Sequence, residues 1–211
     1  EASWRPTFSP ARVARAAKMG AAKMKGALLR AALAWYEERH GAEARGRLIA
    51  GLPDGHPFAP DDAALGVLAT EWYAAEHVHA VLDVLAEGRS DEEREALARE
   101  IAAATVERVR HGVYRFLVRK LVSPGFYARH IQRLWRQVHT TGSREITVDD
   151  AARRAVSSTR DWAGHHPLLC LIASHTVAAF FETMGLEGVE VERVACVSAG
   201  DDACVAELRW R

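Results

Sequence analysis

Two cysteines near the end of the chain flank a sequence that is typical of a tight turn. The segment reads Cys196-Val-Ser-Ala-Gly-Asp-Asp-Ala-Cys204, and its centre at Gly200 predicts a β-hairpin. In such a hairpin, residues whose numbers sum to 400 face each other. The Cβ atoms of Cys196 and Cys204 are therefore expected about 4.5–5.5 Å apart. Two thiolates at that spacing can share a tetrahedral Zn²⁺ ion, to which each sulfur binds at about 2.3 Å.

A third cysteine precedes this hairpin on a predicted apolar helix. Cys170 lies 26 residues before Cys196, and it can supply a third thiolate if that helix crosses the sheet. Zinc would then link the helix to the hairpin. The alternative is that the three thiols pack as small hydrophobic side chains, because cysteine is among the most buried residue types. A disulfide is disfavoured, since an odd count of three cysteines suits the reducing cytoplasm, where we expect this protein.

The fourth ligand of such a zinc site is left open by the sequence. Glu192 shares strand parity with Cys196, but four residues of regular strand span about 13 Å. Direct coordination by Glu192 would therefore require a bulge or a strong bend, and Glu190 is farther still. The candidates for this position are Glu190, Glu192, His165, His166, His175 and Asp201.

Large side chains with a few polar groups among them are typical of an apolar ligand site. In this chain the residues that can line such a pocket are Trp135, His139, Trp162, His175, Phe180 and Tyr127. At helical or strand spacing the same residues can instead form an ordinary core. Exposed members of the set can also form a dimer interface, where Trp and Tyr are enriched.

No sequence motif of a known catalytic class is present. The chain lacks a Gly-x-Gly-x-x-Gly loop, a Walker A loop and a nucleophile elbow. One compact acid–base cluster occurs, at Glu71, Glu76, His77 and His79, and a solvated helix face explains it. We therefore predict that the protein is not an enzyme.

The composition is that of an ordinary globular protein with balanced charge. The chain has 211 residues, of which 49% are hydrophobic and 27% are charged, and its 28 basic residues equal its 28 acidic ones. This balance removes the usual electrostatic signature of a nucleic-acid-binding protein, so no direct nucleic-acid contact is predicted. The longest apolar stretch, residues 168–181, is shorter than the roughly 20 residues of a membrane span, so no span is predicted.

Helical periodicity dominates the first part of the chain. It predicts a helix over residues 24–40 that ends at Gly41. It also predicts a helical segment up to Gly88 with one buried stripe of side chains. Ser90 and Glu93 match a capping box at the start of the next helix, in which Gly112 predicts a kink before an apolar stretch at residues 113–122. The members of the buried stripe are Leu65, Leu68, Trp72, Ala75, His79 and Leu82.

The pattern changes from helical to extended near Gly142. Ser123 as N-cap and Pro124 at the first helical position predict the last helix before this change. Residues 146–148 and 153–162 are predicted strands, residues 167–184 an apolar helix, and residues 189–211 the two strands of the hairpin. We predict a basic N-terminal lead-in at residues 1–23 and one α+β domain over residues 24–211, with a helical half packed on a small antiparallel sheet.

The cysteine pattern resembles that of the vinyl-4-reductase-type domain. This family includes the sensory domains of aromatic-responsive bacterial activators and is related to the TRAPP and H-NOX folds. In its zinc-bearing members, a helix cysteine, a carboxylate shortly before the hairpin and two hairpin cysteines bind the metal. The resemblance therefore implies Cys170, Cys196 and Cys204 as zinc ligands, with Glu190 or Glu192 as the carboxylate.

A larger part of the chain, about residues 24–211, resembles an uncharacterised myxobacterial paralogous family of the same superfamily. That resemblance implies cytoplasmic homodimers and an α/β sandwich with a ligand cavity between helices and sheet. The matching motifs are Met24-Lys25-Gly26, the Tyr-x-x-x-His-Gly segment ending at Gly41, Glu71-Trp72-Tyr73, Tyr114-Arg115, Ser123-Pro124, Leu134-Trp135 and the hairpin ending at Trp210.

The resemblance to a superfamily that includes H-NOX proteins suggests haem as a candidate cofactor, but the sequence does not favour haem. The segment His139-Thr-Thr-Gly-Ser-Arg144 matches the Tyr-x-Ser-x-Arg motif of that family only in part. The histidines on predicted helices that can in principle be axial ligands are His77, His79, His111, His130 and His139. None of them lies in that family's ligand context, so we do not expect haem.

These observations predict a non-enzymatic small-molecule-sensing or regulatory domain. Its ligand is expected to be a small apolar or aromatic molecule, with zinc as a candidate stabiliser of the cysteine hairpin and signalling through dimer or partner contacts. Two alternatives remain open at this point. One is a TRAPP-like protein-assembly adaptor without a ligand, and the other is a haem-based gas sensor.

Overall fold

A computed structural model describes residues 22–59, 61–111 and 123–211. The predicted basic lead-in at residues 1–23 lies outside this part of the chain except for its last two residues. The kink at Gly112, the apolar stretch at residues 113–122 and the Tyr114-Arg115 motif also lie outside the described residues.

The helical half begins with two short strands and a long helix. β1 (Lys23–Lys25) pairs antiparallel with β2 (Trp72–Ala74). Helix α1 (Gly26–Ala50) follows β1 directly. Gly41 was predicted to end this helix, and it interrupts α1 with a backbone φ of 78°, after which the helix resumes. Glycine tolerates this left-handed conformation because it has no Cβ atom.

One helix prediction in this half is wrong. The stripe expected from Leu65 to Leu82 is divided among three elements, because helix α2 begins only at Ala75 and ends at Ala86. Leu65 lies in a 3-10 turn with a left-handed backbone (φ 54°), and Trp72 lies in β2. Leu68 is 56% exposed, so it faces away from the core. The backbone at Leu65 cannot continue a right-handed helix, and the periodic spacing across these elements is coincidental.

Two further helices start at the caps that the sequence indicates. The backbone N–H of Glu93 donates to Ser90 Oγ, and the N–H of Ser90 donates to Glu93 Oε2, which completes the capping box of α3 (Asp91–His111). Helix α4 (Pro124–Val138) begins after Ser123, whose Oγ accepts from the N–H of Phe126. These reciprocal bonds satisfy N–H groups that a helix start leaves without partners.

The second half of the chain forms a four-stranded antiparallel sheet. Its strands are β3 (Ser143–Asp149), β4 (Arg154–Arg160), β5 (Glu190–Ala195) and β6 (Ala203–Arg209), in the spatial order β3-β4-β6-β5. The predicted strands at residues 146–148 and 153–162 correspond to β3 and β4, and residues 189–211 form the β5–β6 hairpin. The α+β fold class is confirmed.

Helix α5 (Pro167–Thr183) connects the two halves. It joins β4 to β5, packs closely against α3, and contacts β5 and β6. Most of its side chains are buried, which explains why the apolar stretch at residues 168–181 has no polar face. Within the described residues, no helix is both long and apolar enough to cross a membrane.

Candidate metal centre and apolar cavity

The β5–β6 hairpin brings two cysteine sulfurs together at its tip. A bulge between Arg193 and Ala195 shifts the strand register, so that Ala195 pairs with Val205 above the bulge and Arg193 pairs with Ala206 below it. The predicted pairing, in which residue numbers sum to 400, therefore holds only beside the turn. There the Sγ atoms of Cys196 and Cys204 lie 3.8 Å apart.

Helix α5 and the loop before it complete a group of four metal-ligating atoms. Cys170 on α5 places its Sγ 3.9 Å from Cys196 Sγ, and His165 places its Nε2 3.5 Å from the same sulfur. The ligand atoms of His165, Cys170, Cys196 and Cys204 all lie within 4.8 Å of one another. All three cysteines are buried and unpaired by disulfide bonds.

These separations match the edges of a tetrahedral zinc site. With Zn–S bonds of about 2.3 Å and a Zn–N bond of about 2.1 Å, a tetrahedron has S–S edges of about 3.8 Å and S–N edges of about 3.6 Å. The observed distances of 3.8, 3.9 and 3.5 Å differ from these values by about 0.1 Å. The three contacts of Cys196 thus have the lengths of a tetrahedral zinc site, and the other ligand atoms of the group lie within 4.8 Å of one another.

The electrostatics of the group also suit a cation. Hydrogen bonds from Cys170 and Cys204 lower the pKa of the Cys196 thiol far below its ordinary value. Burial disfavours the charged form of His165, but hydrogen bonds to Cys196 and Cys204 outweigh burial and raise its pKa to about 9. Without metal, these two shifts favour a thiolate at Cys196 and an imidazolium at His165. A zinc ion binds thiolate and neutral imidazole, so it would displace the imidazolium proton.

His165 is held in place by its neighbour in the chain. The Nε2 atom of His166 lies 3.0 Å from Asp83 Oδ1 on α2, and its Nδ1 accepts from the N–H of Leu168, which caps α5. Pro167 then occupies the first helical turn. These contacts fix the loop that carries His165 against the hairpin tip.

The other candidates for the fourth ligand lie elsewhere. Glu190 and Glu192 are exposed on β5 and are not part of the group of ligand atoms, because the bulge does not carry either one to the hairpin tip. His175 Nε2 lies 2.5 Å from Glu95 Oε1, and Asp201 accepts from the backbone N–H of Cys196. In this geometry the side chain that accompanies the three sulfurs is the imidazole of His165.

A cavity of about 160 Å³ lies between the helices, beside the metal-ligating group. Four of the six predicted pocket residues line it, namely Tyr127, Trp135, His139 and Phe180. The remaining two do not line it. Trp162 packs edge-on against Trp135, and His175 pairs with Glu95. The apolar side chains that form the walls include Leu29, Val78, Ile101, Ile131, Leu169 and Ile172.

A buried arginine that the sequence analysis did not select as a site residue also lines this cavity. Arg144 on β3 donates from Nε and Nη2 to Ser157 Oγ and from Nη2 to the carbonyl of Ala173. Its guanidinium lies 5.3 Å from the ring centroid of Trp135. The alternation of β3 places Arg144 on the same face as Ile146, which is the one sequence signal that it points inward.

Two more polar groups lie in this part of the cavity wall. The ring of His139 stacks on Trp135 at 3.9 Å, and its buried Nδ1 has no hydrogen-bond partner within the described part of the chain. Burial, followed by the charge of Arg144, lowers the pKa of His139 to about 3, so this imidazole is neutral. Burial raises the pKa of Tyr127 to about 12, although Arg144 opposes that shift.

Comparison with known proteins identifies the fold. No protein-family description and no curated protein matches this chain. Among solved structures, an Fe(II) unliganded H-NOX protein from K. algicida matches with a TM-score of 0.62 and 11% identity, over 89% of this chain and 97% of that chain. An H-NOX protein from S. oneidensis in the Fe(II)NO ligation state matches with a TM-score of 0.58 and 13% identity, over 89% and 99%.

A third match is an oxygen-binding H-NOX domain related to soluble guanylate cyclases, solved as its oxygen complex, with a TM-score of 0.59 and 10% identity. It covers 89% of this chain and 95% of that chain. The chain therefore has an H-NOX-like fold, as the sequence resemblance implied. The resemblance to a myxobacterial paralogous family stays a prediction.

The cavity does not fit haem, the cofactor that an H-NOX-like fold suggests. Pockets for drug-sized ligands measure about 300–1,000 Å³, whereas this cavity measures about 160 Å³, too little for a tetrapyrrole. Of the five candidate histidines, His139 lines the cavity, and Trp135 covers one face of its ring. The others have different contacts among the described residues: His77 with Glu76, His79 with the carbonyl of Gly164, His111 with Glu107 and His130 with the carbonyl of Phe126.

Proposed function

We propose that this chain is a non-enzymatic sensory domain that binds a small apolar molecule in the cavity and carries a structural zinc ion on Cys170, Cys196, Cys204 and His165. The observation that carries the proposal is that one helix, α5, contributes residues to both the metal-ligating group and the cavity. Cys170 belongs to the metal-ligating group, while its neighbours Leu169 and Ala173 line the cavity.

This shared helix provides a physical route from ligand to output. Zinc bound by the four side chains would fix the start of α5 to the hairpin tip, because metal binding to a preformed site stabilises the folded state. A ligand that fills the cavity would favour one packing of α5 against α1, α3 and α4 over others. The ligand would thereby change the populations of conformations that differ at the surface next to α5 and the hairpin.

The location of the cysteines favours a structural role over catalysis. Cys196 and His165 resemble a nucleophile and base, since their Sγ and Nε2 atoms lie 3.5 Å apart. Cys196 is only 4% exposed, however, and none of the three cysteines lines the cavity. A substrate in the cavity would not contact the Cys196 thiolate. The metal-ligating group is therefore better suited to a closed metal site than to a catalytic pair.

The zinc part of the proposal is tested by elemental analysis of protein purified without chelator. We expect about one zinc per chain in the wild type and in Glu192→Gln, because Glu192 lies outside the group of ligand atoms. His165→Gln and Cys204→Ser each remove one ligand and should reduce the metal content to well below half an equivalent after dialysis. Wild-type protein without zinc would reject the metal site, and zinc loss in Glu192→Gln alone would reject this ligand set.

The sensory part is tested with toluene as a probe of the cavity. Saturable chemical-shift changes in the amides of α5 are expected if the cavity binds an apolar molecule. An absence of such changes at concentrations near the solubility of toluene would reject the cavity as a site for a neutral apolar molecule. Homodimer formation stays a prediction.

A further inference from the structure

We propose that the ligand of the cavity is a small monocarboxylate, with its carboxylate bound by Arg144 and its apolar body held between helices α1, α3, α4 and α5. This inference rests on the proposed function, because it names the chemical class of the molecule that the cavity would bind. It is carried by a buried cation for which the described residues provide no carboxylate partner.

The position of Arg144 is costly unless an anion accompanies it. The residue is 5% exposed and lies on the face of β3 that also buries Ile146. None of the salt bridges among the described residues includes Arg144. The segment 112–122, which precedes α4, contains no Asp or Glu that could pair with it. A buried charge without a counter-charge costs several kcal/mol of folding free energy, so a bound anion would be strongly favoured.

The hydrogen bonds of Arg144 leave one nitrogen, Nη1 with its two N–H groups, for such an anion. Nε and Nη2 are engaged by Ser157 Oγ and the carbonyl of Ala173, which are both neutral acceptors. These bonds hold the guanidinium plane in place and leave Nη1 to donate to a ligand. Because the arginine is positioned before the ligand arrives, little side-chain entropy is lost on binding.

The neighbouring polar groups complete a carboxylate site. His139 has a buried Nδ1 without a partner among the described residues, and its neutral ring can carry the proton on that atom and donate it. Tyr127 is buried and keeps its phenolic proton as a second donor. All three side chains line the same cavity, and both the guanidinium of Arg144 and the ring of His139 lie against the ring of Trp135. A carboxylate accepts several such bonds through its two oxygens.

The thiolates of the proposed zinc site do not remove the need for this anion. Cys170 and Cys204, together with Tyr127, favour the charged form of Arg144, while burial opposes it. That interaction acts through space, and among the described residues the guanidinium's hydrogen bonds are made by Nε and Nη2 and not by Nη1. The cavity side of the arginine is therefore where a ligand oxygen would bind.

The size of the cavity limits the apolar part of the ligand. A cavity of about 150 Å³ lined by aliphatic and aromatic side chains is known to hold one benzene ring. This cavity measures about 160 Å³, with walls that are almost entirely apolar away from the three polar groups. Benzoate and hexanoate match this combination of one charged end and a compact hydrophobic body.

The experiment compares benzoate with two neutral compounds of similar shape, toluene and benzamide, on the zinc-loaded full chain by calorimetry and amide chemical shifts. We expect benzoate to bind one per chain, at least about tenfold more tightly than benzamide, because hydrogen bonds to a charged group contribute more than those to a neutral one. Arg144→Gln should weaken benzoate by about 10- to 100-fold while toluene binding stays within about threefold. The matched control is Arg160→Gln, at an exposed position of β4, which should leave both affinities unchanged.

The two proposals fail in different ways in this experiment. If toluene or benzamide binds at least as tightly as benzoate, the carboxylate inference is wrong and the apolar cavity function stands. If none of the three perturbs the amides of α5, both proposals are wrong. The comparison of benzoate with benzamide uses wild-type protein alone, so it remains decisive even if Arg144→Gln does not fold.

Discussion

His165 shows how much of a metal site depends on a single side chain. Three cysteines alone would leave a tetrahedral ion with one open position, as in catalytic zinc sites, whereas a fourth protein ligand closes it. The Nε2 atom of His165 lies at the distance from Cys196 Sγ that a closed site requires. The histidine therefore favours a structural centre over one that presents the metal to a substrate.

His139 provides a prediction about pH. Its pKa in the folded protein is about 3, compared with 6.5 for an ordinary histidine. Because the unfolded chain then binds more protons between these values, the stability contribution is complete above pH 6.5 and is lost as the pH falls toward 3. Between pH 7.5 and pH 5 this linkage should cost the wild type about 2 kcal/mol of unfolding free energy.

The variant His139→Phe keeps an aromatic ring beside Trp135 and removes the titrating group. Urea unfolding at pH 7.5 and pH 5 should therefore show a smaller decrease for this variant than for the wild type, by about 2 kcal/mol. His40→Phe, at an exposed position on α1, serves as the control and should retain the wild-type decrease. Equal decreases in the wild type and His139→Phe would show that His139 is not buried in its neutral form.

At the scale of elements, the junction between β1 and α1 depends on a close approach of two backbone segments. The N–H of Gly26 donates to the carbonyl of Glu71 at 2.8 Å. A Cβ atom on Gly26 would lie only 2.1 Å from the carbonyl oxygen of Leu68 and 2.7 Å from the ring of Tyr73. No side-chain rotation can relieve a clash with backbone, so the two segments would have to separate.

Gly26→Ala is therefore expected to lower the free energy of unfolding by about 3 kcal/mol. Gly46→Ala is the matched control on the same helix, where an added Cβ would meet nothing within 4 Å. That substitution should raise stability by about 0.5–1 kcal/mol, because alanine is the better helix former. Urea denaturation of the two variants measures both effects, and a stable Gly26→Ala protein would contradict the described contact.

Elements defined by local chemistry were predictable from the sequence, and those defined by distant contacts were not. The caps at Ser90 and Ser123 involve residues within three positions, so the sequence indicates both helix starts. The loop that carries His165 is fixed by His166 and Asp83, which are 83 residues apart, so no local pattern singled out His165 among the candidate ligands. The β5 bulge likewise left no sequence signal, and with it the true register below the hairpin tip was missed.

At the scale of the whole molecule, the H-NOX-like fold places a helix-lined cavity next to a sheet whose outer hairpin closes a metal-ligating group. Sequence periodicity and the family resemblance predicted this α+β architecture. They did not predict Arg144 as a site residue, because the strand predicted at residues 146–148 began after it and arginine is ordinarily exposed. Arg144 is buried because α4 and α5 cover that face of the sheet, and these contacts join distant parts of the chain.

The central claim is that three sulfurs and one imidazole hold a zinc ion between α5 and the hairpin. Anomalous diffraction measured on both sides of the zinc absorption edge, from crystals of protein purified without chelator, tests it most directly. We predict one peak per chain at about 2.3 Å from the sulfurs of Cys170, Cys196 and Cys204 and about 2.1 Å from His165 Nε2. A peak bound by Glu190 or Glu192, or crystals in which no peak lies between these sulfurs, would contradict the account.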